Sequence, residues 1–560
     1  MDDAVTAPTT FDVTTLRGRR AVHRWERTSV GDVFERLTWS YPDQVAIVGR
    51  PGAHAEDRFA SLTYRDADRT ANQVAQGLLA RGLEPGARVL LFCENSVEAY
   101  VAKIGIAKAG LVAMPLNPSL APDVVEALVA HAEPSFAITD AETWPRAAAA
   151  FARAGLAADV TIAIGGDVVA GSVGFGAFVD AQPPTEPDVE IHGDDIWEML
   201  FTSGTTALPK GVMISHSASH YAALNFALSL TRGTGLENEV RVGTHLPVIY
   251  HVGELIFVLA AFLSGGTAVI GRRPVPAEVA RAVAEERLTA LWAGSPQFVT
   301  ALTREFEGLD VSCLGVLVYG WGALAPEVYE RLQRQAGEVV VLGIFGQTEA
   351  IACHRFWPRR WPETYAATAP VVNYVGLPSP LLASDVFDDD GVSLRDRPGV
   401  PGEVVYRTPT VTAGYYKNEA ATREAFRTGW FHSGDSASFD SDGLRVVVDR
   451  IKDIVKTGGE NVSSLRVEAA LYAHPAVARA AVIGLPHERW GEAVTAVVVL
   501  APEAPVPSQD ELIVHCRARL AGYETPKAVV FAEELPETVG GKILKYRLRA
   551  RHAALYAAPV

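Results

Sequence analysis

Helical and extended stretches alternate along most of the chain. From residue 28 onward, amphipathic stretches such as VGDVFERLTWSYPD and RTANQVAQGLLARG are followed by short apolar runs such as ARVLLFC. Further helix–strand units span residues 279–293 and 326–345. Segments that alternate in this way pack as helices over mostly parallel β-sheets. The pattern therefore predicts an α/β fold with a large amino-terminal domain that is itself divided into subdomains.

A change of pattern at residues 449–453 predicts a domain boundary. Before it, SFDSDGLRVVV is typical of a hairpin with a Ser-Asp-Gly turn, and after it a small α/β unit begins with the helical stretch VEAALYAHPAV. The first residues mix charges and proline with little periodicity, which is typical of a loose leader. We predict a leader (1–28), an amino-terminal domain (29–449), a connection (450–453) and a small carboxy-terminal domain (454–560).

Size and composition indicate a globular protein with more than one domain. The chain has 560 residues, of which 48% are hydrophobic and 21% are charged, so cores of good size can form. A formal net charge of −16 argues against a nucleic-acid partner, which would require a basic face. The charge does not argue against a bound nucleotide, for which a few local cations suffice.

The sequence predicts a cytoplasmic protein without a transmembrane segment. MDDAVTAPTT lacks the apolar core of a secretory signal. The longest apolar run, residues 255–263, is shorter than the roughly 20 residues that span a bilayer, and we expect a buried helix there. The cysteines have no metal-ligand spacing, which is typical of buried free thiols in a reducing compartment: Cys93, Cys313, Cys353 and Cys516.

The segment FTSGTTALPKGV is the strongest candidate for a chemical site. Glycine and small hydroxyl residues can wrap closely around phosphate oxygens, and a lysine adds positive charge. The segment is not a Walker A loop, because Lys210 precedes Gly211 instead of following a glycine. A Ser/Thr/Gly surface turn is the alternative interpretation. The candidate phosphate ligands are Thr202, Ser203, Gly204, Thr205, Thr206 and Lys210.

Four further motifs follow in a fixed order. GIFGQTEA comes directly after an apolar run that predicts a buried strand, so its polar side chains can reach a ligand at the sheet's carboxyl edge. GWFHSGDSA offers an acid suited to two sugar hydroxyl groups. DRIKDIVKTGGENVS and LPETVGGKILKYRLR combine charges with paired glycines. The residues of interest are Gly346, Gln347, Thr348, Glu349, Asp435, Arg450, Lys452, Gly458, Gly459 and Lys542.

Together these motifs resemble those of the adenylate-forming superfamily, which includes acyl-CoA synthetases, nonribosomal adenylation domains and firefly luciferase. The resemblance covers about residues 30–552. It implies a large adenylation domain, a hinge and a small mobile carboxy-terminal lid. It also implies that ATP and CoA are substrates and that Mg²⁺ is the cofactor. In this chemistry a carboxylate attacks the α-phosphorus of ATP, and a thiol then displaces AMP from the acyl-adenylate.

The resemblance implies how the adenylation residues act. Lys542 would bridge the acyl carboxylate and the α-phosphate, Thr348 would contact that phosphate, and Glu349 would hold Mg²⁺. Phe345 would stack on adenine, where the family usually has tyrosine. The alternatives are a surface lysine at 542 and a glutamate that only favours a helix N-terminus at 349. Ala207, usually glycine, and Gly540, usually serine or threonine, also depart from the family pattern.

The same resemblance assigns the ribose, hinge and CoA positions. Asp435 and Arg450 would hold the ribose, and the alternative is a salt bridge at the domain edge. Lys452 corresponds to the hinge about which the small domain rotates. The ATP site would also include Gly322, Ala323, Gly346 and Gln347, and the CoA tunnel would be lined by Gly458, Gly459 and Trp490.

The resemblance places His251 and Trp321 at the acyl pocket. His251 would gate thiol entry, and a satisfied core histidine is the alternative. Trp321 stands where the family usually has a small residue, so its indole would shorten the pocket and favour a short or aromatic acid. The alternative is that Trp321 turns into the core. His216 and His220 are spaced like metal ligands on a helix, but a third ligand is missing and we expect them to be structural.

The sequence therefore predicts an AMP-forming carboxylic acid–CoA ligase that acts on a fatty or aryl acid. The segments LPHERWGEAVTA and TGGEN favour CoA as the acceptor. A second hypothesis keeps the adenylation but transfers the activated group to a carrier protein, an amine or another nitrogen nucleophile such as nitrite. A third is a non-enzymatic nucleotide-binding protein. The sequence leaves open which acid is used and whether the protein is a homodimer.

Overall fold

The computed structural model describes residues 28–202, 209–230, 239–502, 505–537 and 543–556. Residues 1–27 of the expected leader therefore lie outside the described residues. Two large sheets with their helices are formed by residues before the expected connection, and a smaller sheet is formed after it. The α/β fold class is confirmed.

Strands and helices alternate in the first part of the chain. The strands are β1 (Val45–Gly49), β2 (Ser61–Thr63), β3 (Arg88–Phe92), β4 (Val112–Pro115), β5 (Phe136–Asp140), β6 (Val160–Ile162), β7 (Val173–Gly174), β8 (Ile196–Phe201) and β9 (Gly211–Ser215). The helices are α1 (Val33–Ser40), α2 (Tyr64–Leu79), α3 (Val97–Lys108), α4 (Pro122–Ala132), α5 (Trp144–Arg153), α6 (Phe175–Asp180) and α7 (His216–Leu230).

The middle part of the chain adds the strands of the second large sheet. They are β10 (Arg241–Thr244), β11 (Thr267–Ile270), β12 (Ala290–Trp292), β13 (Val316–Gly320), β14 (Val340–Phe345), β15 (His354–Phe356), β16 (Asn373–Pro378), β17 (Ala383–Phe387), β18 (Gly402–Arg407), β19 (Gly414–Tyr415), β20 (Phe431–Phe439) and β21 (Arg445–Arg450). A π-helix (Glu254–Val258) continues into α8 (Leu259–Leu263), followed by α9 (Pro276–Glu285), α10 (Pro296–Glu305), α11 (Pro326–Ala336), α12 (Pro362–Thr368) and α13 (Glu419–Ala425).

The two large sheets are parallel over most of the helix-covered region. The eight-stranded sheet has the order β19-β9-β8-β4-β3-β5-β6-β7, in which β8 to β7 run parallel. The thirteen-stranded sheet has the order β17-β18-β20-β21-β16-β15-β14-β13-β12-β10-β11-β1-β2, in which β14 to β1 run parallel. The loop motifs after β8 and β14 therefore leave the carboxyl ends of parallel strands, where ligands bind in open α/β sheets.

Helix α3 is buried within the main core, which contains side chains from both large sheets. Every residue of the helix is buried, including Lys103 and Lys108. Lys108 pairs with Asp68 at 3.0 Å, and Lys103 pairs with two buried glutamates described below. A buried cation is tolerated only when it is paired, so these contacts are what allow the lysines to remain inside.

The carboxy-terminal part forms its own sheet of five strands. They are β22 (Val455–Thr457), β23 (Glu460–Val462), β24 (Val477–His487), β25 (Gly491–Leu500) and β26 (Ala528–Phe531), in the order β23-β22-β25-β24 with β26 parallel to β25. The helices are α14 (Ser464–Tyr472), α15 (Gln509–Arg517) and α16 (Lys545–His552). A capping box of Ser508 and Glu511 fixes the start of α15.

The apolar run 255–263 forms the buried π-helix and α8, as expected. Among the described residues, none of the helices combines the length and the apolar character that a membrane span requires. His216 Nδ1 accepts a hydrogen bond from Val30 N at 3.0 Å, and His220 contacts Ser29 O, so both histidines have structural roles. All four cysteines are free; three are buried as expected, whereas Cys313 is partly exposed.

Candidate active site

The loop after β8 is closed at its base. Thr202 N donates to Lys210 O at 3.1 Å, and Phe201 pairs with Gly211 across antiparallel strands β8 and β9. The two ends of the predicted phosphate loop are thus held together by main-chain hydrogen bonds. Residues 203–208 lie outside the described residues, and they include four predicted phosphate ligands and one departure from the family pattern: Ser203, Gly204, Thr205, Thr206 and Ala207.

Tyr415 connects Lys210, at the end of the predicted phosphate loop, to the segment after β14. Lys210 Nζ lies 4.4 Å from the centroid of the Tyr415 ring, and the Tyr415 hydroxyl donates to Glu349 Oε1 at 3.1 Å. Tyr415 is positioned by β19, in which it pairs with Val212 of β9. The structure therefore brings Lys210 and Glu349 together through a residue that sequence reasoning missed. Tyr415 lies outside all the motifs, so nothing in the local sequence indicated that it belongs to the site.

The segment after β14 folds back on itself. A side chain at Gly346 would place its Cβ only 2.8 Å from Ala352 O, so only glycine fits this close approach. Thr412 N donates to Glu349 O at 2.7 Å and fixes the main chain of the glutamate. Gln347, Thr348 and Glu349 are half-buried. These three residues therefore lie at the carboxyl edge of the thirteen-stranded sheet, beside the half-buried ring of Phe345.

Glu349 suits a magnesium ligand on chemical grounds. Its carboxylate is half-buried and lies near Lys210 of the predicted phosphate loop. Mg²⁺ prefers oxygen ligands, and phosphates and water usually complete its coordination. One group of acids among the described residues, Asp32, Glu35 and Glu186, is close enough together to hold an ion without a phosphate. That group does not include Glu349.

Asp435 and Arg450 face each other across the β20–β21 hairpin. They are register partners, and Arg450 Nε lies 3.3 Å from Asp435 Oδ1. Ser433 Oγ accepts from Asp435 N at 3.1 Å, which further fixes the buried aspartate. The ion pair given above as the alternative interpretation is thus present.

The connection after β21 is a short helical turn, Ile451–Asp453, that contacts the last helix. Burial and the nearby Arg450 lower the pKa of Lys452. Burial acts to raise the pKa of Asp453, but Lys545 and Arg549 outweigh it, so that pKa is lowered. Arg549 of α16 donates to Asp453 Oδ1 at 2.7 Å. The turn is therefore held by charges from α16.

His251 and Trp321 lie in one aromatic cluster. The ring centroids of His251 and Trp321 are 6.2 Å apart, and Trp321 meets Trp292 edge-on at 5.4 Å. Trp292 in turn stacks on Phe257 at 4.7 Å. Trp321 is 48% exposed and has φ of +65°, so it does not turn into the core. Sequence reasoning missed Trp292 and Phe257, because each stood in an apolar run that indicated only burial.

Hydrogen bonding fixes the tautomer of His251. Gly253 N donates to His251 Nδ1 at 3.0 Å, so in the neutral ring the proton is on Nε2. Burial, and then the nearby Lys103, lowers the pKa of His251 to about 4. Near neutral pH the imidazole is therefore uncharged. Gly322 and Ala323 follow Trp321 in the chain and are half-buried.

A buried charge cluster lies behind this aromatic cluster. Lys103 of α3 pairs with Glu198 of β8 and with Glu254 at the start of the π-helix, and it donates to Ile249 O at 3.1 Å. Burial raises the pKa of Glu198 to about 8. The cluster links β8 to the segment that carries His251. Strand β8 leads into the predicted phosphate loop. Sequence reasoning missed it because the three residues are far apart in the chain.

The predicted CoA residues meet at one edge of the small sheet. Gly458 and Gly459 form the β22–β23 turn with φ of +60° and +89°, which favours glycine. Gly458 N donates to Trp490 O at 2.9 Å. Lys527 Nζ lies 5.2 Å from the centroid of the Trp490 ring. The structure therefore brings Gly458, Gly459 and Trp490 together beside a cation.

The predicted catalytic Lys542 lies outside the described residues, which exclude 538–542. The ends of that segment are described: Glu537 and Ile543 form a β-bridge, and Leu544 N donates to Pro536 O at 2.7 Å. Arg479 Nη2 donates to Glu537 Oε2 at 2.6 Å and ties this base to β24. The described residues on either side of the lysine segment are thus held together and anchored on the small sheet.

Comparison with known proteins adds independent evidence. The sequence profile described as AMP-binding enzyme matches residues 34–416, and the profile described as AMP-binding enzyme C-terminal domain matches residues 466–542. A feruloyl-CoA synthase of Amycolatopsis sp is 34% identical over 493 residues, which are 88% of this chain and 94% of that protein. A long-chain-fatty-acid–CoA ligase of Mycobacterium tuberculosis is 32% identical over 524 residues, which are 93% and 99% of the two chains.

A solved structure is similar over nearly the whole chain. The crystal structure of an anthranilate CoA ligase in complex with anthranoyl-AMP superposes with a TM-score of 0.82 at 25% identity. The match covers 95% of this chain and 99% of that one.

Proposed function

The chain belongs to the AMP-binding enzymes and is an AMP-forming acyl-CoA synthetase, and from this premise we propose that it ligates a short or aromatic carboxylic acid to CoA. The observation that carries the choice of acid is the half-exposed Trp321 ring standing against His251 and Trp292. Three aromatic rings meet at this point, and their bulk would oppose a straight alkyl chain there. Similarity to a feruloyl-CoA synthase and to an anthranilate CoA ligase supports an aryl acid.

In the first step the acid's carboxylate attacks the α-phosphorus of ATP. A carbon–oxygen–phosphorus linkage forms, and the bond to pyrophosphate breaks. The phosphate loop from Thr202 to Lys210 holds the departing pyrophosphate, while Lys542 and Thr348 contact the reacting α-phosphate. Catalysis is mainly positioning and charge stabilisation. Mg²⁺, held by Glu349 when bound with ATP, would neutralise charge on the phosphate oxygens.

The nucleoside occupies the edge between β14 and the β20–β21 hairpin. Phe345 stacks on adenine, and Gly322, Ala323, Gly346 and Gln347 line its slot. The Asp435 carboxylate accepts hydrogen bonds from the ribose hydroxyl groups. Arg450 lies against that carboxylate, and Ser433 holds the main-chain N–H of Asp435. The Asp435–Arg450 ion pair is thus part of the ribose site.

In the second step the thiol of CoA attacks the acyl carbon, and AMP leaves. The small domain rotates about Lys452, which withdraws Lys542 and brings the Gly458–Gly459 turn to the acyl-adenylate. Pantetheine passes beside Trp490 and the cation Lys527. His251, neutral with its proton on Nε2, gates the thiol's approach.

One incubation tests the acid and the acceptor together. The protein is mixed with ATP, Mg²⁺ and single acids from a panel of fatty and aryl acids, with CoA, an amine, nitrite or none of these. Pyrophosphate release and product masses are then measured. The proposal predicts acyl-CoA from aryl or short acids only. An amide or another nitrogen product without thioester would favour the nitrogen acceptor, and a lack of pyrophosphate with every acid would favour a nucleotide-binding protein without activity.

A further inference from the structure

Lys103 contacts the chain on both sides of His251. The histidine lies in the loop that connects β10 to the π-helix, residues 245–252. Lys103 Nζ donates to Ile249 O at 3.1 Å, before the histidine, and forms an ion pair with Glu254 after it. Between these two contacts, Glu254 N donates to His251 O at 3.2 Å. Lys103 thus holds the loop at two points that enclose His251.

The Lys103 side chain is itself held by the eight-stranded sheet. Its second ion-pair partner is Glu198 of β8, a strand that pairs with β4 on one side and with β9 on the other. The side chains of Lys103, Glu198 and Glu254 are all fully buried. Because buried charges are screened much less than exposed ones, their attraction strongly restricts the position of the ammonium group. The cluster therefore ties the His251 loop to an inner strand of the sheet.

The same contacts act on the imidazole of His251. Gly253 N donates to His251 Nδ1 at 3.0 Å, and Gly253 directly precedes Glu254, which the lysine holds. The ion pair thus fixes the N–H that orients the ring and keeps the proton on Nε2. Burial, and then the positive charge of Lys103, lowers the pKa of His251 to about 4. Lys103 therefore affects both the orientation and the charge of the imidazole.

We propose that Lys103 is a positioning residue for thiol transfer, which holds His251 where the imidazole gates the approach of CoA. Lys103 acts through His251, and Glu254 and Glu198 are the contacts by which it does so. The inference rests on the proposed function, because it assumes that His251 gates the thiol. It predicts that loss of the lysine impairs thiolation more than adenylation.

Two variants remove the contacts, and a second buried lysine supplies the control. Lys103→Met removes the ammonium group. Glu254→Met removes one ion pair and leaves Lys103 balanced by its other acid, so this variant decides the matter if Lys103→Met does not fold. Lys108→Met is the matched control, because Lys108 is a buried residue of the same helix and also pairs with two acids, Asp68 and Glu186.

The measurement is the ratio of thiolation to adenylation in each variant. Adenylation is followed as pyrophosphate release without CoA, and thiolation as acyl-CoA formation from CoA and a supplied acyl-adenylate of the best acid in the panel above. A partly unfolded sample lowers both rates by the same factor and leaves the ratio unchanged. We expect the ratio to fall by at least about 10-fold in Lys103→Met and Glu254→Met, as for one hydrogen bond to a charged group. In Lys108→Met it should equal the wild-type ratio.

His251→Ala shows whether Lys103 acts through the histidine. In the His251→Ala enzyme, neither Lys103→Met nor Glu254→Met should lower the ratio further, because the group that they position is gone. An unchanged ratio in both single variants, or a full additional loss in the His251→Ala background, would overturn the inference. A wild-type ratio in His251→Ala alone would instead refute the gate in the proposed function, and the inference would fall with it.

Discussion

Tyr415 joins two motifs that are far apart in the sequence, and Tyr415→Phe tests whether this junction serves catalysis. The Tyr415 hydroxyl donates to Glu349 Oε1 at 3.1 Å, and the ring lies 4.4 Å from Lys210 Nζ. Phenylalanine keeps the ring beneath the lysine and removes only the hydrogen bond. The variant therefore tests how strongly the rate of catalysis depends on the orientation of the Glu349 carboxylate.

The expected loss follows from the hydrogen bond's strength. A hydrogen bond to a charged group contributes about 1.5–3 kcal/mol, which corresponds to a factor of about 10 to 150 in rate. Tyr415 is 7% exposed, so water has little access to replace the hydroxyl. We expect kcat/KM for pyrophosphate release to fall by that factor, with more Mg²⁺ needed for half-maximal rate. Tyr415→Leu should lose more, since it also removes a cation–π contact of about 0.5–2 kcal/mol.

The neighbouring tyrosine supplies the control. Tyr416 contacts Arg88 and His131 on the other side of the strand end, away from Glu349, and Tyr416→Phe should change kcat/KM less than twofold, as roughly expected for a surface substitution. A Tyr415→Phe enzyme with the wild-type rate and Mg²⁺ dependence would refute the argument. Equal losses of kcat/KM in Tyr415→Phe and Tyr416→Phe would show that the substitutions destabilise the strand, and that the orientation of the Glu349 carboxylate is not the cause.

Two further predictions concern the substrate sites. Asp435→Ala should raise the KM for ATP by at least about 10-fold, because the two proposed ribose hydrogen bonds to a charged acceptor would be lost; Asp435→Asn, which keeps the shape, should be affected less, and an unchanged KM in both would remove Asp435 from the ribose site. Trp321→Gly should extend the range of accepted acids to longer chains with the KM for ATP little changed; efficient turnover of palmitate-length acids by the wild type would contradict this.

Contiguous motifs could be predicted because the chemistry is local to them. The hydroxyl-rich loop after β8 is recognisable from its own composition, and the Gln-Thr-Glu segment after β14 follows a strand that the apolar pattern predicts. Their proximity could be expected, since ligands bind at the carboxyl ends of parallel strands. The His216 and His220 interpretation also held, because a missing third ligand is visible in the sequence.

Other parts of the site arise only from packing between distant segments. Tyr415 reaches Glu349 because β19 adds to β9 at a sheet edge, which no local pattern records. Trp292 stands in an apolar run that indicates only burial, and only the fold shows that its N–H has no partner among the described residues. The Lys103 cluster likewise depends on three separate elements meeting in the core. Spacing along the chain carries no information about such contacts.

The most direct test of the two-step ligase separates its half-reactions in Lys542→Ala. Adenylation is followed as pyrophosphate release from ATP and an aryl acid, and thiolation as formation of acyl-CoA from a supplied acyl-adenylate and CoA. In the proposed mechanism Lys542 acts only before the small domain rotates, so the variant should lose adenylation and keep thiolation at close to the wild-type rate. Equal loss of both half-reactions, or full retention of adenylation, would contradict the proposed mechanism.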